Sequence, residues 1–259
     1  MTDKKIQFGR ADLHIHTNFS DGRCSVKDMV DYAEKHTKMD IIAITDHDTI
    51  KGALKAQEIA KNNKYKIKII VGEEITSKEG HIIGLFLKKA IKPGLSVHET
   101  LLQIRAQGGL ATLPHPLYQS RMQSSTGGLA DGVGFINLIK ERDNYTAIET
   151  INATPFLGKY NVRSQFLNRT ILFKSEVGGS DTHILKGIGK GYTLFPGNTI
   201  EDLKTALLTG KTESNKSKWG ARTLIRYGFS FMPNAAKVLG FTLVHGRSPK
   251  KPQIINCKI

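Results

Sequence analysis

The run Ala11-Asp12-Leu13-His14-Ile15-His16 alternates polar and apolar side chains, so as a strand it turns Asp12, His14 and His16 to one face and Leu13 and Ile15 to the other. Two imidazoles two positions apart on a strand can grip one metal ion. The arrangement recurs along the chain. Ser20-Asp21-Gly22, Thr45-Asp46-His47-Asp48, Gly72-Glu73-Glu74, Gly80-His81, Pro114-His115-Pro116 and Ser180-Asp181-Thr182-His183 each place an acid or a histidine near the end of an apolar run. Such residues form one polynuclear metal site only in a fold that brings many strand ends together.

The intervening segments supply that fold. Ser25 can cap a helix whose apolar positions Val26, Met29, Val30 and Ala33 follow helical spacing up to His36. Residues 40–44 read as a β-branched strand, 50–60 as a helix, and 67–71 and 81–87 as strands. Ser96 with Glu99 forms a capping box for a helix carrying Val97, Leu101 and Ile104, and residues 110–113 form a strand ahead of His115. Residues 147–151 and 176–179 read as further strands, and Thr199 with Asp202 caps a last helix ending at Gly210. Residues 117–140, rich in Ser, Gly and Gln, read as a long loop over the site. Repeated βα units with functional residues after the strands predict an α/β fold with a parallel barrel, in which all strand C-termini open onto one face. An open doubly wound sheet is the alternative. It is disfavoured because no Gly-x-Gly-x-x-Gly turn follows the first strand.

Composition narrows the chemistry. Only Cys24 and Cys257 are present, without paired spacing, so metal ligands must be nitrogen and oxygen. No stretch of about 18 apolar residues exists to span a membrane, and no signal-type segment follows Met1, which predicts a cytoplasmic protein. The net charge of +15 favours anionic partners. Residues 213–259 carry nine basic residues against the single acid Glu213, with Trp219, Tyr227, Phe229, Phe231 and Phe241 among them. This segment reads as an extension that either packs its aromatics on the barrel or contacts nucleic acid or an acidic membrane surface.

Taken together and in order, His14-Ile15-His16, Ser20-Asp21-Gly22, Thr45-Asp46-His47-Asp48-Thr49, Gly72-Glu73-Glu74-Ile75, His81-Ile82-Ile83-Gly84, His115-Pro116 and Ser180-Asp181-Thr182-His183 resemble the polymerase and histidinol phosphatase (PHP) family over residues 9–212. The resemblance implies a distorted (β/α)7 barrel, two or three divalent ions, and metal-dependent hydrolysis of phosphate esters. Residues 187–210 are also similar to the tail of small PHP phosphoesterases that include nucleoside 3′,5′-bisphosphate phosphatases. Carried over position by position, His14, His16, Glu74 and Asp181 match the ligands of one ion, and Glu74, His81 and His115 those of a second, with Glu74 bridging. Asp21, His47 and His183 match a third. Glu73 is the fallback for Glu74.

Imidazole and carboxylate donors suit Mn²⁺, Zn²⁺ and Fe²⁺ without selecting among them. A water bridging two such ions becomes a hydroxide nucleophile near neutral pH. Asp46 and Asp48 read as groups that fix the His47 tautomer or the following turn, rather than as ligands. Arg121, Lys159 and Arg163 lie in predicted loops and can hold a second phosphate. The expected substrate is a small phosphorylated compound such as a nucleoside bisphosphate or a short oligonucleotide end. The alternatives are a histidinol phosphate phosphatase, a metallohydrolase related to amidohydrolases, and a metal-binding module that docks nucleic acid or membrane without catalysis.

Overall fold

The computed structural model describes residues 7–119, 132–221 and 224. Strands β1 (Phe8–Asp12), β2 (Ile41–Ile44), β3 (Lys68–Thr76), β4 (His81–Leu85), β5 (Leu110–Leu113), β6 (Ala147–Asn152), β7 (Ser175–Gly179), β8 (Gly191–Pro196) and β9 (Glu213–Lys216) form one sheet in the order β7-β6-β5-β4-β3-β2-β1-β8-β9. Its two ends meet. The Thr193 hydroxyl accepts the Gly178 N–H at 3.0 Å and donates to the Gly178 carbonyl at 3.1 Å, joining β7 to β8 without a regular ladder. The result is a nearly closed α/β barrel, as the strand-ending motifs predict.

Alternation along the strands sorts the core into two shells. Ala11, Leu13, Ile41, Ala43, Ile70, Ile83, Leu85 and Val177 pack together inside the barrel, with Phe195 and with Leu203, Ala206 and Leu207 of helix α6 (Ile200–Thr209). Ile42, Ile44, Ile69 and Val71 face outward onto helices α1 (Val26–His36) and α2 (Lys51–Asn62). Helix α6 lies at the end opposite the strand C-termini, because the Leu207 carbonyl accepts the hydroxyl of Ser175, the first residue of β7. One end of the barrel is therefore plugged by apolar side chains. The other end is left for polar ones.

The predicted caps form. Ser25 Oγ accepts the Asp28 N–H at the start of α1, and capping boxes open α3 (Val97–Ala106) at Ser96/Glu99 and α6 at Thr199/Asp202. Gly210 ends α6 in the left-handed conformation at φ 69°.

Several expectations are corrected. The barrel is not all parallel: β4 runs antiparallel to β3 and β5, β8 to β1, and β9 to β8. The β3–β4 hairpin pairs Thr76 with His81, so the first residue of β4 reaches the same rim as the ends of the parallel strands. Regular pairing of β1 stops at Asp12, and beyond it only Ile15 bridges to Thr182. Part of the predicted loop 117–140 is helix α4 (Gly134–Lys140), and α5 (Gly158–Leu167) runs into a π-helical turn at Asn168–Leu172. Residues 213–216, read as the start of an extension, belong to the sheet as β9. Of the aromatic residues beyond it only Trp219 is described, and its Nε1 donates to the Ala153 carbonyl at 2.9 Å. The remaining aromatics of that segment, and Arg121, lie outside the described residues. Among the described residues no helix is long and apolar enough to cross a membrane.

Candidate metal centre

Glu74, in β3 and only 1% exposed, lies at the middle of the open rim. One carboxylate oxygen is 3.1 Å from His14 Nε2, 3.1 Å from His16 Nε2 and 3.4 Å from His47 Nδ1. The other is 3.0 Å from His81 Nδ1 and 3.2 Å from His115 Nε2. Asp181 Oδ1 approaches His14 Nε2 at 3.4 Å and His16 Nε2 at 3.3 Å. Asp21 Oδ2 is 3.0 Å from His183 Nε2 and 3.8 Å from His47 Nε2. All nine residues singled out in the sequence thus meet in one cluster. They divide into overlapping trios, such as His14-His16-Glu74, His47-Glu74-His81 and His16-Asp21-His47, whose donor atoms lie within 4.8 Å of one another.

The donor set fits divalent ions. Ligands at roughly 2.1 Å from one ion stand roughly 3.4 Å apart in a tetrahedron, the spacing seen between these atoms. Hydrogen bonding accounts for only part of it: His14 and His115 bond Glu74 and His183 bonds Asp21, but both ring nitrogens of His16 and of His81, and Nδ1 of His115, are buried without a hydrogen-bond partner. Unpaired buried polar atoms are costly, and so many in one place mark a missing partner. Cys24 is buried and is not among the donors of the cluster.

Electrostatics point the same way. Burial opposes charge on Glu74, but His14, His47, His81 and His115 outweigh it and hold the carboxyl well below the usual range. Burial likewise opposes charge on His16, yet Asp181, Glu74 and Asp21 raise it to about 10. At His47 burial prevails, and the ring falls to about 4. A divalent cation would compete with protons for these same lone pairs.

The backbone holds the cluster in unusual conformations. His115 and Asp181, each two residues beyond the end of its strand, have φ of 28° and 51°. Positive φ in a non-glycine residue costs of order 1–3 kcal/mol and persists only where the surroundings impose it. Here they do: Asp181 N–H donates to the His14 carbonyl at 2.8 Å, and His115 N–H donates to Glu149 Oε2 at 2.8 Å.

Glu149 is the residue the sequence reading missed. Buried in β6, it also places Oε1 3.0 Å from His14 Nδ1 and accepts from Asn152 Nδ2 at 2.9 Å. Asn152 and Thr154 in turn donate to Asp181 Oδ2 at 3.1 and 3.3 Å. The signal was present, since an acid between Ile148 and Thr150-Ile151 in an apolar strand needs a reason to be buried. Glu73 turns away and accepts the Ile91 N–H at 2.8 Å, which leaves Glu74 as the inward carboxylate. Asp46 and Asp48 make no hydrogen bond to the His47 ring and so do not fix its tautomer. Asp46 pins the β1 loop through Thr17 N–H, the Thr17 hydroxyl and Ser20 Oγ, and Asp48 holds Thr76 at the hairpin through its N–H and hydroxyl.

Above the cluster opens a cavity of about 510 Å³. Its wall carries Tyr118, Phe156, Tyr160 and Lys159, with the Lys159 ammonium 4.9 Å from the centre of the Tyr160 ring. Arg163, one turn further along α5, is exposed and does not line it.

An α/β barrel with a histidine- and carboxylate-lined rim is a class that many enzymes share. A narrower answer comes from comparison with known proteins. Residues 12–152 match the PHP domain and residues 172–212 the PHP-associated region, so the chain belongs to the PHP domain family. An uncharacterized protein of Methanocaldococcus jannaschii is 39% identical over 117 residues, covering 41% of this chain and 67% of that protein. A second from the same organism is 29% identical over 196 residues, covering 74% and 73%. Among solved structures, a two-domain protein from Bacteroides vulgatus, described as containing a predicted PHP-like metal-dependent phosphoesterase, superposes with a TM-score of 0.64 at 21% identity, over 87% of this chain and 70% of its own. PsfC from Pseudomonas syringae does so with a TM-score of 0.61 at 16% identity, over 87% and 98%. These likenesses establish the barrel.

Proposed function

We propose that this protein is a metal-dependent phosphoesterase that removes phosphate from a small compound carrying an aromatic ring, a nucleoside bisphosphate or a short oligonucleotide end being the favoured substrates. The observation that carries the reading is the pairing of a nine-donor cluster on the cavity floor with an aromatic and cationic wall above it. His14, His16, Asp21, His47, Glu74, His81, His115, Asp181 and His183 are the residues that would hold two or three divalent ions, with manganese, zinc and iron all compatible. When bound, such ions polarise phosphoryl oxygens and acidify water.

The chain's own residues do the rest. Phe156 is 95% exposed at φ 77°, so its backbone conformation presents a large apolar ring to the cavity mouth instead of packing it. A planar base laid against Phe156 and the edge-to-face pair Tyr118–Tyr160, whose ring centres are 5.2 Å apart, would hold the leaving group. Lys159, steadied on Tyr160, offers a charge to a second phosphate.

The test is phosphate release by Mn²⁺-loaded protein from nucleoside 3′,5′-bisphosphates, mononucleotides, 5′-phosphorylated oligonucleotides and histidinol phosphate, with Asp21→Ala as control. Release from the nucleotides, lost in the variant, is expected. Preference for histidinol phosphate would move the substrate reading to that ester, and silence across the panel by metal-loaded protein would favour a binding module.

A further inference from the structure

A second concavity lies on the outer wall, between the C-terminal end of α1 and the segment that leads into β8. Its volume is about 200 Å³. Arg10 from β1, Lys38 after α1, and Lys186 and Lys190 before β8 line it, together with His36. Among the described residues, no carboxylate is in the lining.

These four cations share one lining without a paired acid. Among the described residues, none of Arg10, Lys38, Lys186 and Lys190 makes an ion pair, although Lys27, Lys35, Lys55 and Arg169 each do. The two acids nearest in the hydrogen-bond network are occupied with backbone: Asp40 accepts the Arg10 N–H at 2.9 Å, and Asp12 the Gly189 N–H at 2.7 Å. The Arg10 guanidinium is held against the Tyr192 ring at 5.4 Å, and Lys190 Nζ is steadied by the Lys218 carbonyl at 3.0 Å. Both carry fixed positive charge that no acid among the described residues pairs with. Like charges gathered in a recess repel one another, and a bound anion removes that cost.

We infer that this concavity is a second anion site, separate from the metal centre, that takes a small free phosphate compound such as inorganic phosphate or diphosphate. Shape chooses the ligand. Pockets for drug-sized molecules run from roughly 300 to 1,000 Å³, so this one suits a compact anion. A membrane surface or a nucleic-acid backbone would call for a stripe rather than a recess. The guanidinium and the ammonium groups supply the bidentate and point-charge contacts that phosphate oxygens accept.

Equilibrium dialysis of radiolabelled inorganic phosphate against metal-loaded protein tests the assignment. Wild type should bind about two phosphates per chain, one at the metal centre and one here. Lys38→Glu/Lys186→Glu should remove one or weaken it about tenfold or more, with phosphoesterase turnover retained. Glu74→Gln should remove the other. If wild type binds one phosphate and the lysine variant loses it, the outer site stands and the phosphate site of the proposed function fails. Unchanged number and affinity in the lysine variant would overturn the inference. In Glu74→Gln protein, unlabelled diphosphate should displace the remaining phosphate; displacement by short single-stranded DNA but not by diphosphate would also overturn it.

Discussion

Glu149 and His14 meet at 3.0 Å inside the barrel, carboxylate oxygen to Nδ1, which leaves His14 Nε2 facing Glu74 and Asp181. With its second oxygen Glu149 holds the backbone N–H of His115. One buried side chain in β6 therefore orients donors from two other strand ends. This is the supporting layer that histidine ligands of metals commonly need.

Glu149→Gln keeps the side-chain shape but removes the charge behind His14. Affinity for divalent ions should fall by about 10–100-fold. Titration calorimetry with Mn²⁺ measures it, and unchanged affinity would show that Glu149 only fills space.

Phe156→Ala should weaken nucleotide substrates by about 1–3 kcal/mol, the worth of stacking one base, through KM more than kcat. Glycerol phosphate should be turned over as in wild type. An equal loss on both substrates would mean that Phe156 shapes the floor rather than the leaving-group pocket.

Barrel closure depends on two glycines. A Cβ on Gly178 would collide with the Tyr192 carbonyl, and one on Gly191 with the Gly179 carbonyl. Both contacts lie where β7 meets β8, just ahead of Asp181 and His183. Gly191→Ala should cost about 1–3 kcal/mol of stability in chemical denaturation and lower metal content, because the displaced end of β7 leads directly into Asp181 and His183.

A pH dependence follows from Glu141. Burial raises its carboxyl, but hydrogen bonds from His98 at 2.8 Å and Asn144 at 2.8 Å bring it below its ordinary value of 4.5. A depressed folded value contributes stability above the unfolded value that is lost as pH falls through the folded one. Glu141→Gln should lower Tm at neutral pH, and the gap from wild type should narrow below about pH 4.5, as thermal scans across pH would record.

Much of this was legible in the residues, for identifiable reasons. Caps such as Ser25 and Ser96/Glu99 act within a few residues, so helix starts could be read directly. The donors could be read because acids and histidines at strand ends are rare without a function. What escaped depends on distant partners. The antiparallel turn of β4 is set by a hairpin whose register only the sheet defines. Strands β8 and β9 close the barrel with little sequence pattern: β9 is Glu-Ser-Asn-Lys and owes its form to pairing with β8. Helix α5 carries Asn161 and Ser164 on its buried side, where Asn161 Oδ1 accepts from Asn152 N–H, and so lacks the apolar stripe that announces a helix. Glu149 was overlooked because its partners are the very ligands it supports.

The metal content of protein dialysed against Mn²⁺ and then against buffer, compared between wild type and Glu74→Gln by elemental analysis, tests the central claim. Glu74 touches five imidazoles, so wild type should retain about two to three ions per chain and the variant should lose at least one. Wild type free of metal, or a variant that retains the full complement, would contradict it.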